Sequence, residues 1–515
     1  MMGERPDLGR ETWEAMTADR GTMLARKERL AEVTIPSTLP DKDYKVTNEA
    51  LTNGNSSLGA QGATNIVNKL MLAMFAPGIT FMKLDMDRAA KAKFMSTLGL
   101  TDDSPLTDVL AEGERECLRV LEQSGSRPAL YEGLAALVVV GDVLMDLSDT
   151  DSISFISLRD YAVERNRKGT VLRICFREKT RVDDLEAKAQ EEYLRAVPTA
   201  KPRDKVTVYT TVRLVKGMYR STVCVDDVCL SAAHSGKWKP ENLPWRALTW
   251  RLPIGQDYGV SLVEDYANDF GIHDEVSGAM ADGAVLAAQF RWACKPGGIT
   301  DPAVVQGGRN GSVVPADPDD LKLIFANIGA QLGTIQQIEN VYAQRIGRGF
   351  LMTSAVVRQS ERTTAEEVRI VALELEGSLG GVYSRQAIDM QGPISRWMLR
   401  KADIKVQGTK IQPMIITGLD ALSRSAELER LMGFLTDVTQ LSSIPPETRR
   451  MLNEEPIISD MAAGRGVNRT KYVATVDEIN RRNQEAAASQ ANAAAVQTGV
   501  EAGAQAQVNQ QGAPQ

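Results

Sequence analysis

Histidine is almost missing from this 515-residue chain, which holds only His234 and His273. That scarcity excludes the two-histidine helix motif of zinc proteases and any two-histidine metal site, so no metal and no cofactor is expected. Cysteine is sparse too: Cys117, Cys175, Cys224, Cys229 and Cys294 form an odd, scattered set. It reads as reduced, mostly buried thiols rather than a disulfide framework. Cys224 and Cys229 lie across a predicted hairpin and, with no second Cys or His pair at suitable spacing, read as core packing rather than metal ligands.

Other absences narrow the class further. No G-x-x-x-x-G-K-[ST] loop occurs, because Gly236-Lys237 runs into Trp238 and position 231 is serine. A nucleotide motor is therefore not expected. The longest apolar run, LMLAMFAPGITFM at 70–82, is interrupted by Pro77 and Gly78 and falls short of the ~20 residues a bilayer span needs. It reads as core, with no membrane partner. The opening MMGERPDLGRETWEAM is polar and has no charged-then-apolar secretory pattern. A basic excess is also lacking: 67 Asp and Glu outnumber 60 Lys and Arg, for a net charge of −7. A surface that wraps nucleic acid in positive charge is excluded, and any DNA contact must be local or confined.

The length permits roughly two to four packing units. Residues 58–75 place Ile66, Val67, Leu70, Met71, Met74 and Phe75 at helical spacing, and Pro77 ends the helix. LAALVVV at 134–140 is a second buried segment, after which GDVLMDL reads as a strand entering the turn SDTDS. From about 153 to 251 the period changes to two, with hairpin turns at NRKG (166–169), Lys216-Gly217 and Asp226-Asp227. Ser261 with Glu264 makes a capping box, and one long helix is expected over 261–292. A glycine- and proline-rich insertion, 295–320, cannot be a single helix. A second helical pattern starts near 323, carrying Ile328, Leu332, Ile335, Ile338 and Tyr342.

The stretch SERTTAEEVRIVALELEGSLGGVYS at 360–384 follows a polar loop. Thr363 with Glu366 and Thr364 with Glu367 offer overlapping capping boxes, and Val368, Val371, Leu375, Leu379 and Val382 form the apolar stripe. Gly377, Gly380 and Gly381 fall inside that pattern, each at ~1 kcal/mol against alanine. Residues 414–480 read as helices broken at Pro445, Pro446 and Pro456, and 484–515, without Lys, Arg or aromatics, as a mobile tail.

Candidate site residues are few. Asp146, Asp149 and Asp151 could hold Mg²⁺, but three carboxylates in a loop without the calcium-loop glycine read as a solvated turn. GGRNG at 307–311 could offer amides to a phosphate, but no helix follows it and a plain loop is the simpler reading. The segment 261–292 carries Glu264, Asp265, Asp269, Asp274, Glu275 and Asp282 against the single strong base Arg291. A lone helix of that kind would be a solvated face. Arg358 and Arg362 stand close together in the loop beyond the second helix.

Taken in order, Thr34-Ile35-Pro36, GATNIVNKLMLAMFAP (62–77), GDVLMDL (141–147), DYGVSLVEDY (257–266), PGGITDP (296–302) and the run from SAV (354–356) through ERTTAEE to LGGVYS (379–384) give the chain its likeness. Over roughly residues 10–425 it resembles the head-to-tail connectors, or portal proteins, of T7-like short-tailed bacteriophages. The resemblance implies a non-enzymatic α+β portal fold with wing, two-helix stem, clip, tunnel loop and helical crown, assembled as a ring of twelve. It implies an N-terminal and wing region at 1–260, stem helices at 261–293 and 323–350, the clip at 294–322 and the tunnel loop at 351–364. A long wing helix at 365–405, a crown at 406–483 and a flexible tail at 484–515 complete it.

The same likeness assigns roles. Arg358 and Arg362 would face duplex DNA, Asp265, Asp269, Asp274, Glu275 and Asp282 would line an acidic stem, and Pro296, Gly297, Gly298, Asp301 and Arg309 would form the docking surface of the clip. Implied partners are eleven further copies, double-stranded viral DNA in the channel, major capsid and scaffolding proteins, the terminase large subunit, the tail adaptor and internal core proteins. The location would be the capsid vertex of the virion, after assembly in the host cytoplasm. An oligomeric virion scaffold without DNA contact, or a metal-dependent hydrolase built on Asp146, Asp149 and Asp151, are the alternatives.

Overall fold

The computed structural model describes residues 9–42, 44, 50–51, 53–78, 81–85, 104–309, 311–325, 328–352, 365–379, 381–402, 414–416, 432–440, 457–458 and 461. The chain divides into two units, Met1–Leu422 and Ser423–Gln515. In the second unit the described residues include a helical turn set at 432–440 whose Phe434 is buried.

The strands of the first unit, in chain order, are β1 (Lys83–Asp85), β2 (Asp142–Asp146), β3 (Ser154–Ile156), β4 (Tyr161–Arg165), β5 (Val171–Arg181), β6 (Lys205–Val215) and β7 (Met218–Val225). They continue with β8 (Val228–Cys229), β9 (Lys237–Trp238), β10 (Trp245–Thr249), β11 (Phe290–Cys294), β12 (Leu321–Phe325) and β13 (Met414–Ile416). An antiparallel sheet runs β4-β5-β6-β7-β8, with β9 also on β7, and a smaller one runs β10-β2-β3. The hairpin turns fall at the signals in the sequence: Lys216 (φ 51°) with Gly217 (φ 78°) closes β6-β7, and Asp226 (φ 51°) helps close β7-β8. Two successive left-handed residues match the right-handed twist of the strands they join.

The core gathers around the helix Leu58–Phe75, where Ile66, Val67, Leu70, Met74 and Phe75 are buried and Met71 is half-buried. It packs on the helix Arg127–Val139, the form taken by LAALVVV. Pro77 stops the first helix, leaving its last carbonyls without intrahelical donors in a dry place. Side chains replace them: Tyr383 Oη donates to Ala73 O at 3.2 Å, Gln391 Nε2 to Met74 O at 2.7 Å and Arg127 Nη1 to Phe75 O at 2.5 Å.

A second polar knot sits where the helix ends and β2 begins. Gly141 adopts φ +87°, and a Cβ there would lie 2.7 Å from Ser261 N, so only glycine fits. Next to it, Asp142 is buried with Lys27; Nζ and Oδ2 are 2.5 Å apart, and both side chains are fully inaccessible. Gly259 N donates to both Asp142 oxygens at 2.8 and 3.0 Å, and Lys27 also donates to Gly259 O at 2.9 Å. Burial pushes the Asp142 carboxyl above its ordinary value, against the opposing pull of Lys27 and the Gly259 amide. Thus GDVLMDL and DYGVSLVEDY, over a hundred residues apart, meet at one buried ion pair.

Several expectations need correction. Cys224 and Cys229 are not reduced: directly opposed across β7-β8, they form a disulfide. Cys117, Cys175 and Cys294 take part in no disulfide, and burial pushes the Cys117 thiol up to about 12, which leaves it unreactive. The single helix 261–292 is instead Leu262–Asp265 followed, after a break at Tyr266, by Ala267–Ala288. Residues 290–294 are β11, and the second long helix starts at Gly329 rather than near 323, because 321–325 are β12. FRWAC and LKLIF are rich in aromatic and branched side chains, and pairing with each other as a ribbon satisfies their backbones.

The expected long wing helix over 365–405 is broken. Ala365–Leu379 is followed by Gly381 at φ +82°, then Val382–Gln386, a π-helical turn Ala387–Gln391 and the helix Gly392–Lys401. Gly381 thus provides a left-handed corner, which glycine adopts without steric cost. Glu376 spans the break, accepting Ser384 N at 3.0 Å and Ser384 Oγ at 2.7 Å. At the start of the expected helical segment 414–480, Met414–Ile416 is a strand on β1, just beyond Pro413, which disfavours a helix running through it.

Replacing Lys27 with methionine removes one partner of the buried pair and leaves a carboxylate without its counter-charge. A loss of ~3–5 kcal/mol is expected, measured as a lowered denaturation midpoint.

Candidate nucleic-acid interface

Ser261 starts the first long arm of the molecule, its Oγ accepting Glu264 N at 2.9 Å. Only this half of the capping box forms between the two residues, since Glu264 turns to Arg26, with Oε1 2.8 Å from Nε. The helix Ala267–Ala288 is ~33 Å long at ~1.5 Å per residue and runs beside Gly329–Gly349. Small residues set their spacing: a Cβ at Gly283 would lie 2.8 Å from Leu332 Cδ2, and one at Gly349 would collide with the Tyr266 ring. Ser277 Oγ donates to Glu339 Oε1 at 3.1 Å, and Tyr266 and Phe270 pack edge-on against Phe350.

Beyond Glu264, the five other acids of this arm differ in how far they are engaged. Asp265 pairs with Arg251, and Asp269 lies 3.9 Å from Arg345. Asp274 accepts from the backbone N–H of Asn55 and, at 3.2 Å, of Ser56, so it anchors that segment. Glu275 and Asp282 are exposed. Val285 and Leu286 on this helix, and Ile338 and Val341 on the other, are exposed as well.

Between the two helices, the insertion stands on the β11-β12 ribbon. PGGITDP folds back onto Asp320, whose Oδ2 accepts Ile299 N at 2.8 Å and Thr300 N at 3.3 Å. A Cβ on Gly298 would lie 2.5 Å from that carboxylate, and Gly297 adopts φ +80°. The glycine pair therefore serves the turn. Asp301 caps the short helix Pro302–Gly307 through Ala303 N at 2.9 Å, while Pro296 and Arg309 are exposed.

Arg358 and Arg362 lie outside the described residues, as do Thr363 and Thr364 of the expected capping boxes. Both flanks of their segment are described, and both are tied to the central helix. Asn65 Nδ2 donates to Phe350 O at 2.8 Å and Leu351 O at 3.0 Å; Lys69, buried, reaches Leu351 O at 3.3 Å and Glu374 Oε2 at 3.0 Å. Gly62 lets Phe350 approach, since a Cβ would stand 3.2 Å from the Phe350 side chain. Sequence reasoning counted Leu58–Phe75 as core and missed Asn65 and Lys69 as anchors of this segment. Their polar character at positions bordering an apolar stripe was the available signal.

Asp146, Asp149 and Asp151 are occupied locally. Asp146 accepts Ser148 N at 2.8 Å, Asp149 accepts Asp151 N at 2.9 Å and Ser152 Oγ at 2.8 Å, and Asp151 lies 3.5 Å from Lys401. Among the described residues no group of His, Cys, Asp and Glu is arranged to hold a metal ion, and no helix is long and apolar enough to cross a membrane.

Known proteins are similar to the chain over most of their length. The chain is 31% identical over 443 residues to the portal protein of Enterobacteria phage SP6, covering 85% of each. It is 28% identical to that of Escherichia phage T7 (83% of this chain, 81% of the relative) and 27% identical to that of Pseudomonas phage phiKMV (93% and 95%). A solved neck of an empty gene transfer agent particle aligns over 80% of this chain and 91% of its own at 12% identity and a TM-score of 0.38, too low to carry an argument. Residues 8–473 match the family described as bacteriophage head to tail connecting protein, and the chain therefore belongs to that family.

Proposed function

We propose that this protein is the portal of a short-tailed phage: a ring, twelve-fold in this reading, at one capsid vertex through which the genome enters and leaves. The observation that carries the proposal is the stem pair. Its two helices leave Val285, Leu286, Ile338 and Val341 exposed, more apolar surface than a solitary arm would keep in water, and neighbouring copies would cover them. A structural, non-enzymatic role agrees with the local engagement of Asp146, Asp149 and Asp151.

Handling DNA with an acidic chain follows from electrostatics. Duplex DNA carries one charge per ~1.7 Å, so ~33 Å of stem would pass on the order of 20 phosphates. A lysine-lined tube would hold them; carboxylates repel them and let the duplex slide. Glu275 and Asp282 are the acids free for that task, because Asp265, Asp269 and Asp274 have internal partners. Arg358 and Arg362, on a segment clamped at both ends by Leu58–Phe75, would give light, renewable phosphate contacts. The clip would serve the terminase large subunit during packaging and the tail adaptor afterwards, with capsid, scaffolding and internal core proteins meeting the rest of the ring.

End-on electron microscopy with native mass measurement tests the ring: a closed oligomer with a central hole is expected, and a stable monomer at micromolar concentration overturns it. Arg358→Ala with Arg362→Ala should leave rings intact and stability within ~0.5 kcal/mol, yet lower the yield of particles that retain full-length genomes. Wild-type retention removes the channel role. Replacing 303–314 by a short Gly-Ser linker should preserve rings, since the Asp320 turn at its base remains, and abolish adaptor binding; unchanged affinity in a pull-down assigns docking elsewhere.

A further inference from the structure

Cys224 and Cys229 face each other across β7-β8, and the register alone brings their side chains together. Leu230 N donates to Val223 O at 3.0 Å, so Val223 and Leu230 are a hydrogen-bonded pair and the adjacent cysteines a non-bonded pair, the kind in which facing side chains come closest. The hairpin keeps that register without help from its sulfurs. In its turn, Asp226 N donates to Thr207 O at 2.8 Å, while its carboxylate accepts Thr207 N at 2.9 Å and Tyr193 Oη at 3.2 Å. Beyond β8, Leu230 is buried with Ala189, Tyr193 and Val225, and Glu192 accepts Ser231 N at 2.8 Å and Ser231 Oγ at 2.6 Å. Residues 228–231 thus form a strap from the sheet to the helix Ala187–Ala196, and the disulfide fastens the start of that strap.

A cross-link between residues five apart constrains the unfolded chain little, because that gain grows with loop length. Its effect is local, on how readily the strap opens. The bond is also placed for exchange. Cys224 is buried, with Gly9 seated so closely on it that a Cβ there would lie 3.4 Å from Cys224 Sγ, whereas Cys229 is half-buried. An attacking thiolate therefore enters at Cys229 Sγ and releases Cys224. Cys117 and Cys175, both buried, offer no such entry. We infer that Cys224 and Cys229 are a reversible thiol–disulfide switch that fastens the strap 228–231 over the helix Ala187–Ala196 when the protein passes from a reducing to an oxidising medium. On closing, the two thiols give up two protons and two electrons as the Sγ–Sγ bond forms. A small disulfide such as oxidised glutathione takes both, its own S–S bond breaking to give two thiols; dissolved oxygen takes them as hydrogen peroxide. The timing rests on the portal reading, under which the chain is made in a reducing cell and ends in a released particle; the chemistry does not.

The test equilibrates the full-length protein with reduced or oxidised glutathione, alkylates it and maps the cysteines by peptide mass spectrometry. Cys224 and Cys229 are expected to pass together between two alkylated thiols and one disulfide with no change in the circular dichroism spectrum. Amide hydrogen exchange over 228–231 should be several-fold slower in the disulfide form. Cys224→Ser should take up glutathione at Cys229, whereas Cys229→Ser should leave Cys224 unmodified. Particles from cells lysed in an alkylating agent should carry the two thiols, and particles held in air the disulfide. Thiols that persist in oxidised glutathione, a disulfide that survives reduced glutathione in the native protein, glutathione on Cys224 in Cys229→Ser, or equal exchange rates in the two forms each overturn the switch. The same redox state in both particle preparations overturns the timing alone.

Discussion

Several buried polar groups in the described part of this fold find partners that the local chain cannot supply, and the helix Leu58–Phe75 gathers many of them. Its apolar face builds the core, but Pro77 leaves its C-terminal carbonyls unbonded. Tyr383, Gln391 and Arg127 arrive from two other parts of the chain to satisfy them. Further up the helix, Asn65 and Lys69 hold Phe350, Leu351 and Glu374. One element thereby fixes the end of the helix Gly329–Gly349, the second half of the helix Ala365–Leu379 and the π-helical turn behind it.

The Lys27–Asp142–Gly259 knot does the same for the start of the helices that follow Ser261. A buried ion pair is a weak source of net stability, because desolvation offsets its Coulomb attraction. Its effect is positional. Asp142 can be satisfied only when the amide of Gly259 and the ammonium of Lys27 stand at fixed places, and Gly259 lies two residues before the Ser261 cap. The direction in which the chain leaves Ser261 as a helix is thus tied to a carboxylate at the start of β2, the central strand of the β10-β2-β3 sheet.

Glycine and short polar residues place the remaining parts. Gly381 turns the chain after Leu379 in a left-handed conformation that favours glycine, and Glu376 caps the helix that follows. In the insertion between the two long helices, Gly297 and Gly298 allow the chain to close on Asp320.

The sequence alone determined what depends on neighbours within a few residues. The 3.6-residue period of Leu58–Phe75, the two-residue period of β5 and β6, the Lys216-Gly217 and Asp226-Asp227 turns and the Ser261 cap were all legible, because each is a local balance of propensity and amphipathicity. Tertiary structure alone decided the rest. FRWAC and LKLIF could extend their adjoining helices until each had the other to pair with; Met414–Ile416 became a strand only beside Lys83–Asp85; and Cys224 met Cys229 through hairpin register. Asp274 could be counted among the stem acids from its position, but its use by Asn55 and Ser56 depends on a segment more than two hundred residues away. Contacts of that separation are set by which buried groups can satisfy one another, and no window along the chain contains both partners.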